Sequence, residues 1–479
     1  MRLVAAVMAI AVTALVSCSS TEPTHTPDLA RDVAGMVTAD GLNTHLRKLQ
    51  QIADANKGSR AAGTPGFDAT VDYVAKVLRD KGFDVQTPEF DSMTGTVERG
   101  QKITIAGRDY EVDQASLLVT TPPGGLNAIT LRPQKAAGCT GADYGQVSVK
   151  GAIAVVDDTG CSVGDKQNAA VAKGAVGLLV VSAPGRPAGL FKPGYYQNLK
   201  VPVGVIDANA DAALRRTNAP VRLVLESMPV MAKSRNIVAQ TKSGDTKNLV
   251  VVGANLDSAS HSPGINDNGS GVAALLETAS ALGSDPKLTN AVRFVFWGSK
   301  TEGPTKYLGG LARDQLDDVA LYLGVDMLGS PNAGYFTYDG DQSGQPNPDI
   351  PLQAVPNGSA GIERTLAGYL NLGGARPADM PLSRTAAYAA FLAAGVPIGG
   401  LTAGSSQRKT EVQARLWGGQ AGVAFDPNYN TARDTIADID GKALSLMGQA
   451  LAFAIGTYAQ AIDGVNGVPP RDQRHRNTP

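Results

Sequence analysis

The sequence is poor in histidine and carries no excess of charge of either sign. Only four histidines occur among 479 residues, so we do not expect a histidine-rich metal site anywhere in the chain. The 43 basic and 44 acidic residues nearly cancel, and no basic stripe is present to contact phosphates. This argues against nucleic-acid binding. With 43% apolar residues, the composition suits a large α/β protein of two or three domains.

Long hydrophobic runs are also scarce. The run in "MRLVAAVMAIAVTALVSC" is shorter than the roughly 20 residues that a spanning helix needs, and a polar stretch follows it. The small residues before Cys18 resemble a bacterial lipobox, whose cysteine is acylated. We therefore expect a lipoprotein signal over 1–18, a tether over 19–28, and a lipid anchor on the extracytoplasmic face of the cell membrane. An ordinary secretory signal is the alternative, and it also predicts export.

Cysteine is scarce as well, with three in the chain. If Cys18 is the anchor, Cys139 and Cys161 remain as a pair in an oxidising compartment, which favours a disulfide over two free thiols. The pair lies within 95–232, where short strands and tight turns such as "GAVGLLVV" and "VPVGVI" dominate. This stretch resembles a protease-associated domain, a lid-like insert of exported peptidases that has no catalytic residues of its own.

The remaining sequence alternates helical and strand patterns. Helical periodicity predicts a helix between Asp28 and Lys57 and another ending at Gly82, and Val85 to Phe90 reads as a strand. From about 234, apolar strands alternate with amphipathic helices, which predicts an α/β fold with a mostly parallel twisted sheet and helices on both faces. The predicted domains are a sheet domain over 29–94 and 233–464, the insert over 95–232, and a disordered tail over 465–479.

Polar and charged residues stand where the predicted strands end. "NLVVVGANLDSASHSPGINDNGSG" reads as a buried strand, a loop with Asp257 and Asp267, and the start of a helix. Ligands bind at the carboxyl ends of strands in such sheets, and Asn255, Lys300 and Asp326 fall there too. These acids indicate a metal site, although Asp-Asn-Gly is also good turn chemistry and both aspartates could be cap and turn residues.

These motifs, with "FWGSKTEG" and "FDPNYNTARDT", resemble the zinc aminopeptidases of the aminopeptidase Y and Streptomyces aminopeptidase type. The resemblance implies two zinc ions held by two histidines, two acids and a glutamate, with a second glutamate as general base. It also implies an Asp two residues after the first histidine, which is Asp257 here. The matching positions in this chain are Asn255 and Asn430 for the histidines, Asp267 and Asp326 for the acids, Thr301 for the ligand glutamate and Lys300 for the base.

These substitutions predict that the metal and the catalytic residues are lost. Amide and hydroxyl oxygens are poor zinc ligands. A positive charge about 5 Å from a divalent ion costs roughly 6–7 kcal/mol at an effective dielectric near 20. We therefore predict no cofactor, and we expect the Lys300 ammonium to pair with Asp267 or Asp326. Asn255 and Asn430 would complete the network. A solvated, outward-turned Lys300 is the alternative.

Two other residues could replace the missing ligands, and one other chemistry could replace the metal. His261 precedes Asp267 in the same loop, and Glu302 could reach the ligand position if the strand slipped by one residue. The Phe294–Phe296 alternation opposes such a slip, because it would turn each side chain to the other face. A serine nucleophile is not supported, because the sequence has no Gly-x-Ser-x-Gly motif.

The sequence therefore predicts an exported, lipid-anchored pseudopeptidase that binds peptides or an envelope protein in its cleft. The alternative is an active metal-dependent aminopeptidase that holds zinc and releases N-terminal residues. A third possibility is a purely structural envelope protein with an occluded cleft. The residues that separate the first two are Asn255, Lys300, Thr301 and Asn430.

Overall fold

The computed structural model of the chain describes residues 28–97, 100–116, 118–182, 199–344, 346–347, 350–464 and 467–477. Cys18 lies outside these residues, so the lipobox and its acylation stay predictions. Within the described ranges, every helix is too short or too polar to traverse a lipid bilayer.

Three helices and two strands open the described chain. They are α1 (Leu29–Met36), α2 (Ala39–Ala55), α3 (Pro65–Asp80), β1 (Asp84–Gln86) and β2 (Glu89–Val97). The helix predicted between Asp28 and Lys57 is interrupted, because Val37 has extended backbone angles and the Thr38 hydroxyl caps α2. The predicted strand from Val85 to Phe90 is likewise divided between β1 and β2.

The insert contains two small sheets. Its elements are β3 (Gln101–Ile105), β4 (Arg108–Glu111), β5 (Asp113–Gln114), β6 (Leu126–Ala128), β7 (Thr130–Leu131), β8 (Ile153–Asp157), α4 (Val163–Ala172), β9 (Gly177–Val181), β10 (Val203–Ile206), α5 (Ala208–Leu214) and β11 (Val221–Leu225). One sheet has the order β5-β10-β9-β8-β7 and the other β4-β3-β11-β6. Cys139 and Cys161 form a disulfide with Cα atoms 5.8 Å apart, which confirms the predicted pair.

A two-stranded ribbon leads into and out of the insert. It consists of β2 and β12 (Met228–Arg235), which pair antiparallel along their whole length. The boundaries predicted at 95 and 232 fall inside this ribbon rather than at its ends. The ribbon therefore belongs to the connection between the two domains.

The main domain is an eight-stranded sheet covered by helices. Its further elements are β13 (Ile237–Gln240), β14 (Asp245–Asn255), α6 (Gly271–Leu282), β15 (Asn290–Trp297), α7 (Glu302–Gly309), α8 (Arg313–Asp318), β16 (Val319–Val325), β17 (Phe336–Tyr338), α9 (Ser359–Leu372), β18 (Ala378–Met380), α10 (Ala389–Ala393), β19 (Ile398–Thr402), α11 (Glu411–Trp417) and α12 (Gly441–Gln460). The strand order is β1-β13-β15-β14-β16-β19-β17-β18. The four central strands β15, β14, β16 and β19 run parallel, whereas β13 and β17 pair antiparallel with them.

The central strands are apolar on both faces because helices cover both. Val250 and Val252 of β14 face the larger core, which includes α2, α6 and α12, whereas Leu249 and Val251 face a second core with α8 and α10. Continuous apolar runs are typical of parallel strands buried in this way. The predicted α/β fold is confirmed.

The C-terminal segment differs from the prediction of a disordered tail over 465–479. Residues 467–477 are docked on the main domain, and Arg474 and Arg476 are 6% and 4% exposed. Arg474 donates to the carbonyl oxygens of Lys247 and Asp317, and Arg476 to that of Val319. These carbonyl partners are distant in sequence, so the polar composition of the tail gave no sign of them.

Candidate functional site

Three neighbouring parallel strands deliver the predicted site residues to one edge of the sheet. Asn255 ends β14 opposite Trp297 of β15, and Lys300 follows Trp297 in the next turn. Asp326 comes directly after β16 on the other side of β14. The carboxyl ends of the three strands therefore form one cleft, as the strand pattern predicted.

Lys300 turns into this cleft and pairs with Asp326. The Lys300 Nζ lies 2.5 Å from Asp326 Oδ2, and the two side chains are 30% and 25% exposed. Burial by itself would lower the pKa of Lys300, but attraction to Asp326 and Asp267 outweighs it and raises that pKa. The predicted pairing is confirmed. The outward-turned alternative is wrong.

Asn255 also takes part in the network, as predicted. Its amide nitrogen lies 3.1 Å from Asp257 Oδ1, and its amide oxygen accepts a hydrogen bond from Asn268 at 3.0 Å. Asn268 is fully buried and donates to the Val325 carbonyl, which ties the loop to the end of β16. Burial raises the pKa of Asp257 to about 6, although the bond from Asn255 opposes this shift.

Asp267 is held in place through its backbone. Asp434, which is 1% exposed, accepts the N–H groups of Asn266 at 2.6 Å and Asp267 at 3.0 Å. Burial, with the charges of Asp326, Asp434 and Asp257, raises the pKa of Asp267 to about 7. The site therefore holds more carboxyl groups than its cations neutralise, and some of them gain a proton near neutral pH.

Arg60 is a second buried cation at the site, and sequence reasoning missed it. It is fully buried and donates to three carbonyl oxygens of the Asp257–Asp267 loop, those of Leu256, Pro263 and Gly264, at 2.8, 2.8 and 2.6 Å. These partners lie 196 to 204 residues further along the chain, so no local pattern marks them. Asp434 was missed for the same reason.

Four other predicted or considered residues do not join Lys300, Asp267 and Asp326 by a direct contact. Thr301 is exposed at the start of α7, and Asn430 is exposed with φ of 58° and hydrogen-bonds the side chain of Tyr429. Asn430 therefore meets the network only through Tyr429, which interacts electrostatically with Lys300, Asp267 and Asp326. His261 is exposed in its loop. Glu302 accepts hydrogen bonds from β2, so it does not replace the missing ligand.

The donor set at the cleft does not fit a zinc centre. Histidine is absent from it, and the Lys300 ammonium already binds Asp326 and attracts Asp267. At this edge of the described chain, no three His, Cys, Asp or Glu side chains have ligand atoms within 4.8 Å of one another. Zinc needs nitrogen, sulfur or free carboxylate ligands. The Lys300 ammonium beside these acids supplies positive charge that a metal ion would otherwise supply.

Comparisons with known proteins agree with the fold. Residues 236–455 match peptidase family M28, and residues 126–214 match the PA domain. The chain is 43% identical over 451 residues to the "Probable lipoprotein aminopeptidase LpqL" of Mycobacterium tuberculosis, covering 92% of this chain and 89% of that protein. It is 34% identical over 441 residues to an "Aminopeptidase" of Pseudomonas aeruginosa, with coverage of 87% and 80%.

Two solved structures share the fold at low sequence identity. The aminopeptidase from Aneurinibacillus sp. strain AM-1 superposes with a TM-score of 0.64 at 20% identity, covering 92% of this chain and 98% of that one. BSAP, a zinc aminopeptidase from Bacillus subtilis, gives 0.56 at 21% identity, with coverage of 89% and 97%. The sequence relatives and the shared fold together place this chain in peptidase family M28, with a protease-associated domain inserted.

Proposed function

We propose that this family M28 protein binds peptides in its strand-end cleft without hydrolysing them. The observation that carries the proposal is the ion pair between Lys300 and Asp326. By the resemblance of "FWGSKTEG" to the family's motif, Lys300 stands at the position of the carboxylate base and Thr301 at that of the neighbouring ligand. An ammonium whose pKa is raised cannot accept a proton from water, so general-base catalysis by this residue is ruled out on chemical grounds.

The remaining acids supply a reason to expect binding. Asp257 and Asp267 are partly buried, and their carboxylates face the cleft with less positive charge than negative. A peptide with a free, positively charged N-terminus would complement this surplus. An N-acetylated peptide of the same sequence lacks that charge and serves as the matched control ligand.

Hydrolysis of N-terminal residues is the second candidate function. The names of the relatives support it, since they are called aminopeptidases, and taken alone these names favour an active enzyme. For zinc to bind, Lys300 would have to leave Asp326, and the two asparagines and Thr301 would have to serve as ligands. These ligands are poor ones for zinc, and this favours peptide binding without hydrolysis.

Elemental analysis of purified protein, together with a fluorogenic aminoacyl substrate screen, separates the two candidates. We expect no stoichiometric zinc after dialysis and no turnover above background. The control is a variant with the ligand and base residues restored: Asn255→His, Lys300→Glu, Thr301→Glu and Asn430→His. One or two equivalents of zinc in the unaltered protein, with chelator-sensitive cleavage, would establish the second candidate instead.

We also propose that the protein is anchored to the membrane by lipid at Cys18. The lipobox-like sequence supports this, as does the "lipoprotein" in the name of the Mycobacterium tuberculosis relative. Stable anchoring takes two or more acyl chains. We expect the protein to partition into the detergent phase and Cys18→Ser to leave it in the aqueous phase. A Cys18→Ser protein that stays as firmly membrane-bound would refute the anchor. A partner in the cell envelope is part of the same proposal and remains to be identified by cross-linking.

A further inference from the structure

A second group of acids lies at the opposite edge of the main sheet. Asp339 follows β17, Glu363 is on α9 and Asp379 is on β18, and their carboxylate oxygens all lie within 4.8 Å of one another. Because β17 runs antiparallel to β19, its C-terminal end lies at the amino edge of the central strands. The group, which we call the acid trio, is therefore separate from the cleft of Lys300.

Among the described residues, the acid trio has no cationic side chain as a partner. None of its three carboxylates forms an ion pair with a Lys or Arg in the part of the chain that the structure describes. Backbone N–H groups donate to two of them: Asp339 accepts from Ser343 and Gly344, and Glu363 from Gly340. Glu363 also shares a side-chain hydrogen bond with Asp379, so a proton lies between these two acids, and a cation would displace it. Asp339 and Glu363 are 0% and 7% exposed. Two buried acids beside a third are costly without a positive charge.

A buried hydroxyl on the same face lacks a partner. Thr337 is 1% exposed, and its Oγ1 has no hydrogen-bond partner among the described residues. It lies two residues before Asp339, so the two side chains share a face of β17, and it is the register partner of Asp379 on β18. This hydroxyl is therefore a further oxygen donor on the face of the sheet that carries these carboxylates.

The Gly344 backbone lies close against the trio. A methyl group built on Gly344 would lie 3.0 Å from Asp379 Oδ2 and 3.1 Å from Asp339 Oδ2. A side chain at this position would therefore press on both carboxylates. Asp379 is exposed, which gives the trio access to solvent.

We propose that the acid trio, with Thr337, binds a calcium ion. The donors are all oxygen, and calcium binds six to eight oxygens at about 2.3–2.6 Å in a flexible geometry, so two ligand oxygens can be up to about 5 Å apart. Zinc is disfavoured because the set has no nitrogen or sulfur. Magnesium is disfavoured because it demands a near-ideal octahedron at about 2.1 Å. Water at the exposed side would complete the coordination. The ion would join the edge strands β17 and β18 to α9.

Calcium titration of the full chain tests this proposal. After dialysis against a chelator, we expect one calcium ion to bind in isothermal titration calorimetry and to raise the melting temperature, with magnesium much weaker. Asp379→Asn should weaken calcium binding by roughly tenfold or more, because it removes a charged ligand at an exposed position. Gly344→Ala should also weaken it, because the added methyl group would displace the Asp339 and Asp379 carboxylates while all three acids remain.

Asp267→Asn is the matched control, because it removes an acid from the cleft and leaves the trio intact. Its calcium binding should equal that of the unaltered protein. Three results would overturn the proposal: no saturable binding, binding unchanged in Asp379→Asn, or binding lost only in Asp267→Asn. Glu363→Gln, which removes a buried acid of the trio, should also weaken calcium binding. If Glu363→Gln prevents folding, the result with Asp379→Asn decides the test.

Discussion

Two groups of converging acids lie at opposite edges of the main sheet, and they differ in how their charge is balanced. At the carboxyl edge, Lys300 reaches between Asp267 and Asp326 and supplies a cation from the chain itself. At the amino edge, the acid trio has no such side chain among the described residues. The difference shows that converging acids can be held together by a cation from the chain itself at one site, while the other site lacks such a side chain among the described residues.

The largest effect should come from removing the internal cation. Lys300→Ala strands Asp326 and Asp267 in a partly buried cleft, so we expect it to lower the free energy of unfolding by about 3 kcal/mol. Urea denaturation at pH 7.5 measures this. Lys76→Ala removes a lysine that pairs with Asp80 on the surface, where both side chains are more than half exposed. That control should change stability by less than about 0.5 kcal/mol. Equal losses of stability from the two substitutions would show that Lys300 does not stabilise Asp326 and Asp267.

A smaller effect should appear in the pH dependence of stability. The pKa of Asp267 is raised to about 7, so the folded protein binds more protons than the unfolded protein between pH 4 and 7. The contribution of Asp267 to stability therefore falls as the pH rises through this window. Asn does not titrate, so the stability of Asp267→Asn relative to the unaltered protein should rise by roughly 2 kcal/mol from pH 5 to pH 8. Urea denaturation at both pH values measures this, and a difference independent of pH would contradict it.

The smallest effect should come from giving the acid trio its own cation. Asp379→Lys places an ammonium at the exposed side of Asp339 and Glu363, which copies the arrangement of the cleft. We expect a gain of about 1 kcal/mol in the presence of chelator and no further rise in melting temperature with calcium. Asp379→Asn, which adds no charge, separates the gain of a cation from the loss of an acid. If Asp379→Lys and Asp379→Asn changed stability by the same amount, an added cation would not stabilise the trio as Lys300 stabilises the cleft.

The sequence predicted those features of the site that follow from strand ends. The apolar runs located β14, β15 and β16, and the phase of β15 placed Lys300 in the cleft with Asp326. Features that depend on distant backbone were not predictable. Arg60 and Asp434 bind carbonyl and N–H groups that only the folded loop presents, and Arg474 does the same in the tail. The role of Tyr429 between Asn430 and the charged residues was also not predictable, because it depends on the left-handed backbone at Asn430.

Glu302 links the insert mechanically to the cleft. Its carboxylate accepts hydrogen bonds from the Ser92 hydroxyl and the Met93 N–H, both on the ribbon strand that leads into the insert. Glu302 begins α7 and lies two residues after Lys300. A rigid-body swing of the insert about the ribbon would therefore pull on the turn that holds the ammonium. Binding of a partner to the protease-associated domain would in this way move the Lys300 ammonium in a cleft that the partner does not contact.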